Sequence, residues 1–201
     1  MSATTLVPNA VTLPEQPWNL PSRGRVAMYC LIIGESAIFT IFVVAYIYYI
    51  GRSLTGPTPK DVLDVPIFNT ICLFSSSVTI WLAERAIDRN LVRTFGLWWA
   101  ATIVLGLVFI IGTGIEWHRL IYQDGLTIRT NLFGTTFYSL VGLHATHVVV
   151  GLSMLLLVLI FTFTGHVRHE HSERIQVLAL YWHFVDAVWV VVFTVVYILG
   201  R

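Results

Sequence analysis

Histidine and acidic side chains are the groups in this sequence that could do chemistry, and several stand in strongly apolar surroundings. His144 and His147 lie three residues apart, as do His183 and Asp186, so on helices each pair shares a face. Two imidazoles and a carboxylate can hold iron or zinc, and His144 opposite His183 could bracket a haem. The same spacing has a plainer use, because polar pairs at i, i+3 also hydrogen-bond neighbouring helices and fix their packing. Within the second pair, Asp186 can hold the His183 imidazole in one tautomer. Glu35, in Gly34-Glu35-Ser36-Ala37, can serve a proton relay or a lipid headgroup, or can simply bond an adjacent helix. Glu116 and His118, flanked by Trp117 and Tyr122, read as interfacial anchoring. The charge-dense segment His166, Arg168, His169, Glu170, His171, Glu173 and Arg174 reads as a solvated connection.

The elements that must position these groups are membrane helices. Apolar stretches at 26–50, 66–83, 95–121, 132–164 and 176–200 each approach or exceed the roughly 20 residues needed to cross the hydrocarbon. They lack the period-2 alternation of barrel strands, so the fold class is all-α, a polytopic bundle of five transmembrane helices. Residues 1–25 form a polar tail with Pro8, Pro14, Pro17 and Pro21, and residues 26–201 form one membrane domain. The stripe Trp182, Asp186 and Trp189 should pack on a neighbouring helix, and Gly134, Gly142 and Gly151 should let other backbones approach closely.

Composition agrees. Of 201 residues, 56% are hydrophobic and 11% charged, against roughly 25% charged in an ordinary soluble domain. A net charge of +1 offers no basic surface for nucleic acid. Cys30 and Cys72 form neither a disulfide framework nor a paired metal motif. With five spans, one side collects Arg23, Arg25, Arg85, Arg89, Arg93, Arg168 and Arg174, and the other Arg52, Lys60, Arg119, Arg129 and Arg201. That bias puts the N-terminus in the cytoplasm and the C-terminus outside.

Three strings carry a resemblance: Leu132-Phe133-Gly134-Thr135-Thr136-Phe137-Tyr138, Gly142-Leu143-His144-Ala145-Thr146-His147-Val148, and Tyr181-Trp182-His183-Phe184-Val185-Asp186-Ala187-Val188-Trp189. In order and spacing they resemble subunit III of the haem-copper respiratory oxidases. Gly34-Glu35-Ser36 is similar to that family's intramembrane glutamate motif, and Glu116 with Trp117 to its Glu-aromatic pair. The longer members have seven spans, and this chain resembles the short five-span form of bacteria, placing it in the bacterial inner membrane.

The resemblance implies a subunit without haem, copper or catalytic residues of its own. It would pack directly on subunit I, sit with subunit II and a small subunit IV, and bind phospholipid. It would support proton uptake in a complex that passes electrons from cytochrome c or quinol to O2. Glu35, His144, His183 and Asp186 become the candidates for lipid binding or proton-uptake support. Glu116, His118, His147, Trp182 and Trp189 become members of a structural polar network. Because the first arm of the family's lipid cleft is missing, a partner's helix is expected to cover Glu35. The fourth stretch ends Leu159-Ile160-Phe161 without a basic residue for a lipid phosphate, leaving Arg168 to substitute. Other classes remain open on the residues alone: a subunit-III-like protein associated with nitric oxide reductase, a stand-alone haem or metal membrane protein, and a proton-coupled transporter using Glu35.

Overall fold

The computed structural model describes residues 22–53, 56–165 and 171–200. Among the described residues there are helices and no strands. The long helices are α1 (Arg23–Tyr49), α3 (Ile67–Asp88), α4 (Val92–Tyr122), α5 (Leu132–Phe163) and α6 (Ser172–Phe193), the last continuing as a π-helical end, Thr194–Leu199; a single turn, α2 (Pro59–Val62), lies between α1 and α3. Five helices are long and apolar enough to cross a membrane. The chain is an integral membrane protein, and the five-helix expectation holds. Most of the expected tail, the segment His166 to Glu170 with its Arg168, and Arg201 lie outside the described residues.

Local chemistry accounts for the helix ends. Ser22 caps α1 by accepting from the Arg25 amide, and Asn131 caps α5 by accepting from the Gly134 amide at 2.8 Å. At the end of α3, Asn90 adopts φ 60°, and the Asn90 and Leu91 amides bond back to Ile87 and Ala86 at 2.9 Å each. This left-handed turn satisfies carbonyls the helix would otherwise orphan and reverses the chain tightly into α4. Helix α3 continues to Asp88 because Glu84, Arg85 and Ala86 are helix formers; polarity marks where hydrocarbon ends, not where a helix must.

Helices α3, α4, α5 and α6 contact one another in a closed ring, and α1 lies against α5 and α6 on its outside. Trp99, Phe109, Trp182 and Trp189 fill the ring's interior, each at most 1% exposed. Trp182 touches every wall. From α6 its indole N–H donates to Ser76 on α3 at 2.9 Å, while its ring lies where a Cβ at Gly106 of α4 or Gly151 of α5 would fall, 2.8 and 3.0 Å away. What approaches Gly151 is therefore an aromatic ring rather than a helix backbone, and the same holds for Gly142, which faces Trp117; Gly134 alone faces backbone, at Thr127.

The bundle accordingly tolerates no side chain at Gly106. Gly106→Val should destabilise the purified protein by about 1–3 kcal/mol, the range for overpacking a filled core, whereas Gly114→Ala, whose Cβ meets open space, should leave the unfolding midpoint unchanged. Detergent-solution unfolding of the two variants measures the difference.

Candidate functional site

The polar seam between α3 and α6 contains two of the expected site residues. Thr70, Ser77 and Glu84 recur every seven residues along α3 and so share a face. Antiparallel to them, Trp189 donates to Thr70 at 3.2 Å, and Ser77 donates to Asp186 Oδ2. The Ser77 hydroxyl also lies 3.3 Å from His183 Nδ1. Glu84 Oε2 is 3.9 Å from His183 Nε2, within ion-pair distance. Asp186 thus does not hold His183 directly; Ser77 stands between them and orients both. The stripe of Trp182, Asp186 and Trp189 does pack on a neighbouring helix, and that helix is α3.

Glu35 meets a different partner. Its Oε2 lies 3.1 Å from His147 Nε2, tying α1 to α5. His147 Nδ1 lies 2.8 Å from the Leu143 carbonyl, which can only accept, so Nδ1 carries a proton. The Glu35–His147 contact then shares one further proton, on the acid or on the imidazole. Tyr181 donates to the His147 carbonyl at 3.3 Å and fixes the same stretch of α5 to α6. The carboxyl expected to need a covering partner helix has a hydrogen-bond partner in its own chain, with 24% of its side chain still exposed.

His144 is separate again. It is 1% exposed, stacked on Trp189 with ring centroids 5.0 Å apart, and met edge-on by Phe39 and Phe109. Neither of its ring nitrogens has a hydrogen-bond partner. The four candidates Glu35, His144, His183 and Asp186 therefore fall in three settings: a carboxyl–imidazole pair between α1 and α5, an aromatic cage inside the ring, and the α3–α6 seam.

At the opposite end of the bundle, Tyr197 on the π-helical end donates to Glu116 Oε1 at 3.1 Å. Trp117 stacks edge-on with Tyr138 at 5.3 Å, and exposed His118 lies against Tyr122 at 4.6 Å. Arg119 bonds the Asp64 carboxylate and the Val62 carbonyl, docking the turn α2 onto α4. Glu116 is thus a tie between α4 and the chain's last turn, one residue from the aromatic belt.

Among the described residues no group of three or more His, Cys, Asp or Glu could hold a metal ion. The donor sets themselves do not fit one: aromatic rings close around His144, and Ser77 and Glu84 face the nitrogens of His183. Cys30 and Cys72 are free. The residues that sequence reasoning missed are Ser76, Ser77, Thr70 and Glu84. For Thr70, Ser77 and Glu84 the signal was present in the seven-residue spacing, but hydroxyls and a helix-end acid are common on any span, and Ser76 stands outside that spacing.

The family described as cytochrome c oxidase subunit III matches residues 24–201. The chain belongs to this family. It is 34% identical to cytochrome c oxidase subunit 3 of Alkalihalophilus pseudofirmus over 94% of each chain. It is 37% identical to cytochrome c oxidase subunit 3 of a Synechocystis species, over 89% of this chain and 77% of the relative. It is also 31% identical to cytochrome bo(3) ubiquinol oxidase subunit 3 of Pseudomonas aeruginosa, over 84% and 81%. The matched residues include all but the first residue, Arg23, of the described helices.

If Glu35 and His147 act as one unit, removing either should make loss of the other nearly free. A double-mutant cycle of Glu35→Ala and His147→Ala should give a coupling energy of about 0.6–2 kcal/mol, the range for interhelical bonds in membranes. Strict additivity would show that the contact contributes nothing.

Proposed function

We propose that this subunit III is the non-redox structural and proton-uptake-supporting component of a proton-pumping haem-copper terminal oxidase. In that role it packs directly on subunit I, beside subunit II and a small subunit IV. Haem and copper reside in those partners, which pass electrons from cytochrome c or quinol to O2. The observation that carries the reading is the way its intramembrane acids are used: Glu35, Glu116 and Asp186 each bond a side chain on another segment of the bundle. Acids spent on holding helices together suit a supporting subunit, because an intramembrane carboxyl left without a partner carries a large desolvation penalty.

Two open apolar grooves support the proposed phospholipid binding. One, of about 570 Å³, runs between α4 and α5 beside Trp117 and Gly142; the other, of about 310 Å³, runs between α1 and α6 beside Phe39 and Ser36. Phe39, which lines this second groove, has its ring 4.9 Å from that of His147, so an acyl chain lying there would pack on the side chain that adjoins the Glu35–His147 pair. Arginines at one end of the bundle, among them Arg23, Arg25, Arg85 and Arg89, support a cytoplasmic N-terminus and an external C-terminus in a bacterial inner membrane.

The test is turnover in the reconstituted oxidase complex purified through this subunit. Glu35→Ala should leave assembly and the initial rate intact while shortening the number of turnovers before inactivation. An unchanged lifetime would overturn the role given to Glu35.

A further inference from the structure

The α3–α6 seam has a direction as well as a strength. Its rim end is water-facing: Gln176 donates to exposed Asp88 at 3.1 Å and accepts from Arg25. One helical turn deeper on the Asp88 face stands Glu84, with a fifth of its side chain exposed. Then follow His183, whose side chain is 36% exposed beside Glu84, and Ser77 and Asp186, of which Asp186 is closed off at 4%. Seven residues separate Glu84 from Ser77, a descent of about 10 Å along the helix. The innermost group is unfinished: Asp186 Oδ1 is buried without a hydrogen-bond partner.

We infer that Glu84, His183, Ser77 and Asp186 form a proton-storing chain that loads from the Glu84 end and holds its proton at Asp186. The inference rests on the proton-uptake role proposed above and names the residues that would perform it. In the empty state Ser77 donates to the Asp186 carboxylate, His183 Nδ1–H donates to the Ser77 oxygen, and Nε2 presents a lone pair toward Glu84. Loading moves three protons by one place each. The Glu84 acid gives its proton to Nε2, Nδ1 gives its proton to the Ser77 oxygen, and Ser77 gives its own to Asp186 Oδ2. The product is a neutral Asp186 acid, a His183 of the other tautomer and a Glu84 carboxylate, so the chain's single negative charge has moved from Asp186 to Glu84. Rotation of the flexible Glu84 side chain closes the 3.9 Å gap to His183, and Glu84 recovers its proton from the rim.

The other described acids and histidines on the helices packed against α6 are engaged elsewhere or enclosed by rings, while Cys72 on α3 is a free thiol and the Tyr46 hydroxyl on α1 is buried without a partner. Glu35 on α1 and His147 on α5 bond each other, and His144 on α5 is enclosed by Trp189, Phe39 and Phe109. On α3, Asp88 belongs to the rim contact with Gln176, and Arg85 lies over the Trp81 ring.

Infrared spectroscopy of the intact purified oxidase complex transferred into D2O tests this directly. The protonated-carboxyl band that disappears in Asp186→Asn belongs to Asp186, and it should grow as pH falls. In the unsubstituted complex it should shift rapidly to its deuterated position. Ser77→Ala and Glu84→Gln should each slow that shift by roughly 10²-fold, the low end of what one positioned proton-transfer group supplies. Glu84→Gln changes only the partly exposed end, so it reports even if Ser77→Ala fails to assemble. Equal exchange rates in Glu84→Gln and the unsubstituted complex would overturn the inference, as would the lack of any carboxyl band lost in Asp186→Asn at all pH values where the complex is intact. The readout needs no turnover. Slowed exchange with unaltered turnover-linked proton uptake would uphold the chain and refute the uptake role instead.

Discussion

A hydrogen-bonding group that leaves water for hydrocarbon is costly unless it finds a partner within the protein. The contacts between the helices are arranged largely around that requirement, His144 with its two unpartnered ring nitrogens being an exception. Helices α3, α4, α5 and α6 could close on apolar contacts alone, but lipid is as apolar as leucine and supplies little preference for one arrangement. The indole N–H groups supply it. Trp99 donates to the Leu155 carbonyl across α4 and α5 at 2.8 Å, while Trp182 and Trp189 donate to Ser76 and Thr70 across α6 and α3. Each large ring fills space and, through one N–H, specifies which neighbour it faces. Glycines at 106 and 151 give the Trp182 ring the room this demands.

The acids extend the same rule outward from the ring. Glu35 secures the peripheral helix α1 through His147, and Glu116 secures the π-helical end through Tyr197. Only α1 is held mainly from one side, with much of its apolar surface exposed, including Ile33, Ile41 and Val44. For a helix so placed a specific polar tie adds orientation to the packing against α5 and α6 that holds it. The Glu35–His147 contact therefore does structural work even where a proton or lipid role is added to it.

Much of this was legible in the sequence. Long apolar stretches announced the five spans, and the i, i+3 pairs marked the right helix faces. The stripe Trp182, Asp186 and Trp189 pointed to a tightly packed neighbour. Partner choice was not legible. His144 and His147 look equivalent in sequence, yet the roughly 60° that separates them around the helix axis is enough to send one into an aromatic cage and the other to Glu35. The bridge through Ser77 was equally hidden, because a serine on a membrane helix more often bonds its own backbone, as Ser75 does with Ile71 at 2.8 Å. Spacing along one helix tells which side chains share a face; it carries no information about which helix lies opposite.

If interhelical hydrogen bonding is what selects this arrangement, neighbouring serines on α3 should differ sharply in consequence. Ser76→Ala strands the buried Trp182 N–H, whereas Ser75→Ala removes only a bond within its own helix. The measurement is the free energy of unfolding of the two variants in a bilayer or bicelle. The account predicts a loss of about 1–2 kcal/mol for Ser76→Ala and almost none for Ser75→Ala. Equal effects would show that apolar packing alone chooses how the helices meet.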